Sequence, residues 1–163
     1  MHLDAPESTH QARTALEGIL QWGKEELGLN YSDTSISRWA YVSDITFETD
    51  FPLLSGINGT LNSIARKVSD IVQGNLGEDL EYEPAKIVLA HDPSRRSSSI
   101  APFSIEHRAI SLFEENIYYS EAPIPTDEHI SLISELEEAA RENFESQQRT
   151  IRRVIAAHAP AKA

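Results

Sequence analysis

Hydrophobic residues recur every three or four positions in three stretches of the chain, a spacing typical of helices with one buried side. The first stretch spans residues 8–27. Ser8 or Thr9 is placed to cap its start, and Gly28 follows its last apolar residue. The pattern predicts an N-terminal amphipathic helix that needs a surface to pack against.

Two more helices are predicted further along the chain. Residues 58–73 form the second, with Gly74 placed to end it. Residues 127–157 form the third, with Thr126 as its N-cap. At about 1.5 Å per residue the third helix is roughly 46 Å long, which exceeds the diameter of roughly 40 Å expected for a compact domain of this length. Its second half is therefore predicted to pack against the N-terminal helix, a second copy or a different protein.

Other stretches alternate apolar and polar residues, or are briefly apolar throughout, and both patterns are typical of strands. The short apolar run at 85–91 favours a central strand, whereas 116–121 is followed by two prolines and favours a short strand or sheet edge. The four predicted strands are 38–49, 85–91, 102–113 and 116–121.

This order of elements predicts an α+β fold with a small, mostly antiparallel sheet of three or four strands. Helices are expected to pack on one face of the sheet, with one helix at the N-terminus and a long one at the C-terminus. Residues 1–163 are interpreted as a single domain, and residues 1–7 and 158–163 as loose ends.

The composition of the chain disfavours several classes of function. The net charge of −12 disfavours direct binding to nucleic acid or to anionic membranes. The chain has no cysteine, no signal-like N-terminus and no apolar run long enough to span a membrane. These features predict a soluble, cytoplasmic protein whose partners are other proteins.

The stretch "PFSIEHRAISLF" at 102–113 places three residue types of catalytic chemistry side by side. In a strand, however, neighbouring side chains point to opposite faces. Glu106 and Arg108 therefore share one face, and His107 lies on the other with the apolar residues. Glu106 cannot orient His107 as a general base, so no catalytic residue is predicted here.

Two further patterns suggest ligand chemistry. His91, His107 and His129, with nearby carboxylates, would suit a small hydrolytic or metal-assisted enzyme if the fold brought them together, although no short histidine motif supports this and no metal or cofactor is predicted. Arg95 and Arg96, in a serine-rich loop, are a possible anion-binding pair.

The favoured interpretation is a non-enzymatic protein-interaction module that self-associates or serves as a subunit of a larger assembly. The enzyme above is one alternative, and an acidic inhibitor that mimics nucleic-acid charge is another. Tyrosines near a predicted sheet edge and the second half of the last helix supply the interaction residues, which are Tyr118, Tyr119, Phe144, Ile151, Arg152, Arg153 and Val154.

Overall fold

A computed structural model describes residues 8–92, 94 and 100–158. This part of the chain contains four α-helices and a four-stranded antiparallel sheet, which confirms the predicted α+β class. The elements in chain order are α1 (Thr9–Leu27), β1 (Ser43–Glu48), α2 (Leu53–Ile57), α3 (Gly59–Leu76), β2 (Lys86–Leu89), β3 (Phe103–His107), β4 (Ile117–Ala122) and α4 (Thr126–His158).

The strand order in the sheet is β1-β4-β3-β2. β4 is therefore an interior strand with neighbours on both sides, and β2 lies at an edge. The sequence patterns had favoured a central position for the strand at 85–91 and an edge position for the strand at 116–121. The prolines that follow β4 mark its end along the chain, which is a different property from its position in the sheet.

β1 is shorter than the predicted strand at 38–49. The first residues of the predicted strand precede β1, and they pack against α1 instead of pairing in the sheet. The guanidinium of Arg13, in α1, lies 5.0 Å from the centre of the Trp39 ring. The same guanidinium donates a hydrogen bond of 3.4 Å to the hydroxyl of Tyr41. Trp39 and Tyr41 thus continue the apolar alternation of the strand without belonging to it.

β3 is also shorter than predicted and ends at His107. The chain then turns, with Ile110 in the left-handed region at φ 75° and fully exposed. After this turn Phe113 comes back over β3, and its ring stacks on His107 at a centroid distance of 4.1 Å. The alternation through residue 113 therefore results from a turn that returns Phe113 to the same apolar face.

Hydrogen bonds at the helix ends set where α1 and α4 begin. Ser8 caps α1 by accepting a hydrogen bond from the Gln11 backbone, and Gly28 ends it at φ 64°. Thr126 is the first residue of α4 and not the N-cap that the sequence suggested. Its hydroxyl accepts from the Thr9 backbone at 3.0 Å, and the Thr9 hydroxyl accepts from the Thr126 backbone at 2.9 Å. The two helix starts therefore cap each other.

Two differences concern the middle of the chain. The helical turn α2 lies between β1 and α3 and was not predicted, because five residues are too few to show a helical period. The next helix, α3, begins after Asn58, whose side chain accepts from the Thr60 backbone at 2.8 Å. It continues through Gly74 and ends at Gly77, which adopts φ 71°.

The chain divides into two compact units, each assembled from separate segments. The first unit comprises residues 1–45, 88–104 and 120–132. The second unit comprises residues 46–87, 105–119 and 133–163. The buried residues of the first unit include an unusual number of polar side chains, namely Ser43, Ser104, Ser120 and His129.

The second unit has an apolar core, made of Phe51, Leu53, Leu54, Ile105, Tyr118, Ile133 and Ala140. Arg141, in α4, borders this core and binds the carboxylate of Asp50 through two hydrogen bonds of 3.0 and 2.6 Å. Its guanidinium also lies 4.6 Å from the centre of the Phe51 ring. The paired charge holds the pKa of Asp50 below its usual range.

Candidate interaction surfaces

The predicted tyrosine pair lies in the interior strand β4. Tyr118 is fully buried, and its ring centre is 5.7 Å from that of Phe47. Tyr119 follows on the opposite side of the strand and is half-buried. The ring of Tyr118 belongs to the core of the second unit, which corrects its assignment as an interaction residue.

The remaining predicted interaction residues lie in the second half of α4. Phe144 is half-buried and packs its ring against an aromatic ring from the segment after β1. Ile151 is also half-buried, whereas Arg152 and Arg153 are exposed. The side chain of Val154 lies outside the described residues. Among its described side chains, this half of α4 thus presents two arginines to solvent and keeps Phe144 and Ile151 partly covered.

The predicted anion site cannot be placed, because Arg95 and Arg96 lie outside the described residues. Nearby, the backbone and hydroxyl of Ser94 donate hydrogen bonds of 2.9 and 2.7 Å to the carboxylate of Asp92. These bonds lower the pKa of Asp92. The anion site stays a prediction.

Glu106 and His107 face opposite sides of β3, and the exposed Arg108 follows the end of the strand. Glu106 forms an ion pair of 2.8 Å with Lys86 on the neighbouring strand β2. His107 lies among aromatic rings and contacts Phe113 and Tyr118 at centroid distances of 4.1 and 4.6 Å. Burial lowers its pKa, and its buried Nδ1 has no hydrogen-bond partner among the described residues. The arrangement is that of a packed strand, without an acid–base pair.

His129, at the start of α4, is fully buried and contacts two serines. Its Nδ1 lies 2.9 Å from the hydroxyl of Ser43, and its Nε2 lies 2.8 Å from the hydroxyl of Ser120. Each serine hydroxyl also lies 2.9 Å from a backbone carbonyl, that of Ile124 for Ser43 and that of Ser104 for Ser120. A fully buried imidazole with both nitrogens occupied offers no reactive atom to a substrate.

The hydrogens of this cluster can be counted. A neutral imidazole and two hydroxyls supply three hydrogens for four short contacts, whereas an imidazolium supplies four. Burial lowers the pKa of His129 and favours the neutral ring, although the carboxylate of Asp44 opposes this in part. One contact of the neutral cluster therefore lacks a hydrogen, and adding it requires a buried positive charge.

The metal-assisted alternative needed several histidines and carboxylates in one place. Among the described residues no group of three or more potential metal ligands is found. His91 is exposed after β2, whereas His107 and His129 have the packed surroundings described above.

Several exposed apolar side chains of the second unit lie on α3. Its apolar residues Leu61, Ile64, Val68, Ile71 and Val72 are called the α3 stripe. All of α3 lies in the described part of the chain, and none of its residues is buried. Leu61, Ile64 and Ile71 are 40%, 53% and 61% exposed. An amphipathic helix of 18 residues thus keeps much of its apolar side in solvent.

In the first unit, α1 and the segment after it border an open cleft of about 660 Å³. We call it the α1 cleft. Half-buried Tyr31, Ile36 and Trp39 provide an apolar wall, and the polar lining includes Arg13 and Arg38.

The two arginines of the α1 cleft differ in their partners. Arg13 forms an ion pair of 2.8 Å with Glu17, which also lines the cleft. Arg38 is exposed and has no hydrogen bond or ion pair with any residue that the structure describes. The guanidinium of Arg38 is therefore an unpaired cation beside an aromatic wall, in a chain whose net charge is −12.

An acidic segment of the second unit has the opposite character. Residues 77–83, with the sequence GEDLEYE, are all exposed and form no regular element. Leu80 and Tyr82 are 44% and 46% exposed. The backbone of Tyr82 donates a hydrogen bond of 2.8 Å to the Ser69 hydroxyl, which fixes this part of the segment against α3.

Sequence reasoning missed the α1 cleft and the serine–histidine cluster. Trp39 and Arg38 were assigned to a strand, so their position beside α1 was not anticipated. One signal of the cluster was present in the sequence. Ser120 occupies every-second-residue spacing with Tyr118 and Ala122, so the three buried side chains lie on the same side of β4. A polar residue on the buried side of a strand indicates a buried hydrogen-bond partner.

Comparisons with protein-family models, with curated proteins and with solved structures return no match. In the described part of the chain, no helix combines the length and the apolar character needed to cross a membrane.

Proposed function

We propose that this chain is a non-enzymatic protein-interaction module that self-associates through the α3 stripe. The observation that carries the proposal is the exposure of an amphipathic helix whose apolar side, within the described residues, contains no buried residue. Burying such a side chain stabilises an interface by about 1.5–3 kcal/mol. Exposed apolar patches of this kind mark interaction sites on proteins.

The spacing of the stripe favours an identical helix as the partner. Leu61, Ile64, Val68 and Ile71 repeat at intervals of three, four and three residues, the spacing of a coiled-coil seam. A seam with this spacing is complementary to a second copy of itself, as a two-fold interface requires. The seam covers only two heptads, so a weak, reversible dimer is expected and not a long coiled coil.

The proposal is tested by placing charges in the stripe. The double variant Ile64→Glu and Ile71→Glu would bury two carboxylates in the interface, and we expect it to lose the α3 contact and to self-associate much more weakly than the parent chain. The parent chain should shift from monomer to dimer as its concentration rises in sedimentation velocity. Added salt should favour the α3 contact, because it screens the repulsion between two acidic chains.

A matched control is Gln73→Glu, which adds a carboxylate to the opposite side of the same helix. Its exposed side chain lies about 180° around the helix from Ile64 and about 200° from Ile71, so this variant should still dimerise. Circular dichroism checks that all variants keep their helices. A parent chain that stays monomeric at every concentration, or a control that dissociates as fully as the double variant, would contradict the proposal.

A further inference from the structure

We propose that the α1 cleft binds the acidic segment 77–83 of a second copy of this chain. This inference rests on the self-association proposed above and adds a second contact to it. The guanidinium of Arg38 would pair with carboxylates of the incoming segment. The apolar wall of the cleft would contact the apolar side chains of that segment.

Charge is the first argument for this occupant. Arg38 has no partner among the described residues, and Glu17 already neutralises Arg13 in the same cleft. The cleft therefore keeps one uncompensated positive charge. Residues 77–83 carry four carboxylates, of Glu78, Asp79, Glu81 and Glu83, and no basic residue. A guanidinium binds carboxylates through two parallel hydrogen bonds, a geometry that favours arginine in such interfaces.

Shape is the second argument. In an extended segment Leu80 and Tyr82 point to one side, and Glu81 and Glu83 point to the other. The cleft has the same division, with Trp39 and Ile36 on its apolar wall and Arg38 among its polar residues. A volume of about 660 Å³ accommodates a tyrosine and a leucine side chain. Segment 77–83 is exposed along its whole length, so it is accessible to a second molecule.

A charge-exchange experiment tests this contact. One variant, Arg38→Glu, makes the cleft acidic, and a second, Glu78→Arg with Glu81→Arg and Glu83→Arg, makes the segment basic. In each variant alone, the cleft of one copy and the segment of the other carry charges of the same sign. We therefore expect the affinity of each variant for itself to fall on the order of tenfold. Mixing the two variants pairs an acidic cleft with a basic segment and should recover the lost affinity. Binding is measured by titrating unlabelled chain into fluorescently labelled chain.

The control is Lys24→Glu, which makes the same change of charge at an exposed position of α1 outside the cleft lining. All titrations are repeated in the Ile64→Glu, Ile71→Glu background, in which the α3 contact is removed. Added salt should weaken the cleft contact and strengthen the α3 contact, so the two are separable.

The outcomes distinguish the two proposals. Loss with Arg38→Glu and recovery in the mixture support the cleft contact, whatever the α3 variants show. If Arg38→Glu binds as Lys24→Glu does, or if the mixture recovers nothing, the cleft contact is wrong while the α3 proposal stands on its own test. If the α3 variants associate as tightly as the parent chain and that association requires Arg38, the α3 interface is wrong and the cleft contact is retained.

Discussion

The hydroxyl of Tyr118 acts as a cap for a helix that has no cap of its own. α2 begins after Pro52, which has no side-chain group to accept a hydrogen bond from the first turn. The backbone N–H of Leu53, a fully buried residue, instead donates to the Tyr118 hydroxyl at 3.0 Å. Burial raises the pKa of Tyr118, so the phenol stays protonated. A tyrosine of the interior strand therefore completes the start of α2.

Replacing Tyr118 with phenylalanine tests this capping. The ring contacts remain, but the Leu53 N–H loses its acceptor in a place that water does not reach. We expect the free energy of unfolding to fall by about 1–3 kcal/mol. Urea titration followed by circular dichroism gives the value. Tyr82→Phe, at an exposed ring, is the control and should change stability by less than about 0.5 kcal/mol; equal effects of the two variants would disprove the capping role.

Individual residue roles could be predicted from the sequence only where a local pattern determines them. The separation of His107 from Glu106 follows from strand geometry alone. The contacts of His129 do not, because Ser43 and Ser120 lie 86 and 9 residues away in the chain. Their proximity depends on the order of strands in the sheet, which a single sequence does not specify.

At the scale of elements, α2 and α4 approach each other closely at Gly56. A Cβ atom at this position would lie 2.6 Å from the backbone oxygen of Ala140 and 3.1 Å from the ring of Phe51. The first neighbour is backbone within a helix and cannot move aside by rotating a side chain. Glycine is therefore required here by packing, since Gly56 has no positive φ.

Gly56→Ala tests the close approach. The added methyl should force α2 away from α4 and lower the free energy of unfolding by about 1–3 kcal/mol. Gly18, in α1, has nothing within 4 Å of its would-be Cβ. Gly18→Ala should therefore raise the free energy of unfolding by roughly 0.5–1 kcal/mol, the usual gain of alanine in a helix. Urea titration measures both variants, and a destabilising Gly18→Ala or a neutral Gly56→Ala would contradict the packing argument.

Helices with many apolar repeats were predicted correctly from the sequence. Strand ends were predicted wrongly where residues outside a strand continue its apolar alternation because they make tertiary contacts. The N-terminal and long C-terminal helices were visible from many repeats of their apolar residues. The alternation of a strand, by contrast, continued through Trp39 and Tyr41, which pack on α1, and through Phe113, which returns after a turn. Apolar alternation reports which side chains make apolar contacts, and not which of the residues pair in a sheet.

At the scale of the molecule, the two proposed contacts respond to salt in opposite ways because of the net charge of −12. The α3 stripe brings two acidic chains together without pairing any charge, so screening favours it. The α1 cleft pairs Arg38 with carboxylates, so screening disfavours it. Self-association of the parent chain is therefore expected to depend weakly on salt, and each set of variants should expose one of the two opposite trends.

Acid should also affect the stability of the folded chain through its buried histidines. Burial lowers the pKa of His129 and of His107 in the folded state, whereas an unfolded chain has a histidine pKa of about 6.5. The unfolded state thus binds more protons below about pH 6.5, and the stabilisation from the neutral rings is complete above this pH and decreases as the pH falls.

The variant His129→Gln isolates the contribution of His129. The amide nitrogen of glutamine can donate to one serine, its oxygen can accept from the other, and the side chain does not titrate. Protonation of many surface carboxylates also changes stability with pH, but equally in parent and variant. We therefore expect the parent to lose more unfolding free energy than the variant between about pH 7.5 and pH 5. Urea titrations at both pH values measure the difference. Equal losses would show that the four contacts of the imidazolium, with its extra hydrogen, compensate for the buried charge.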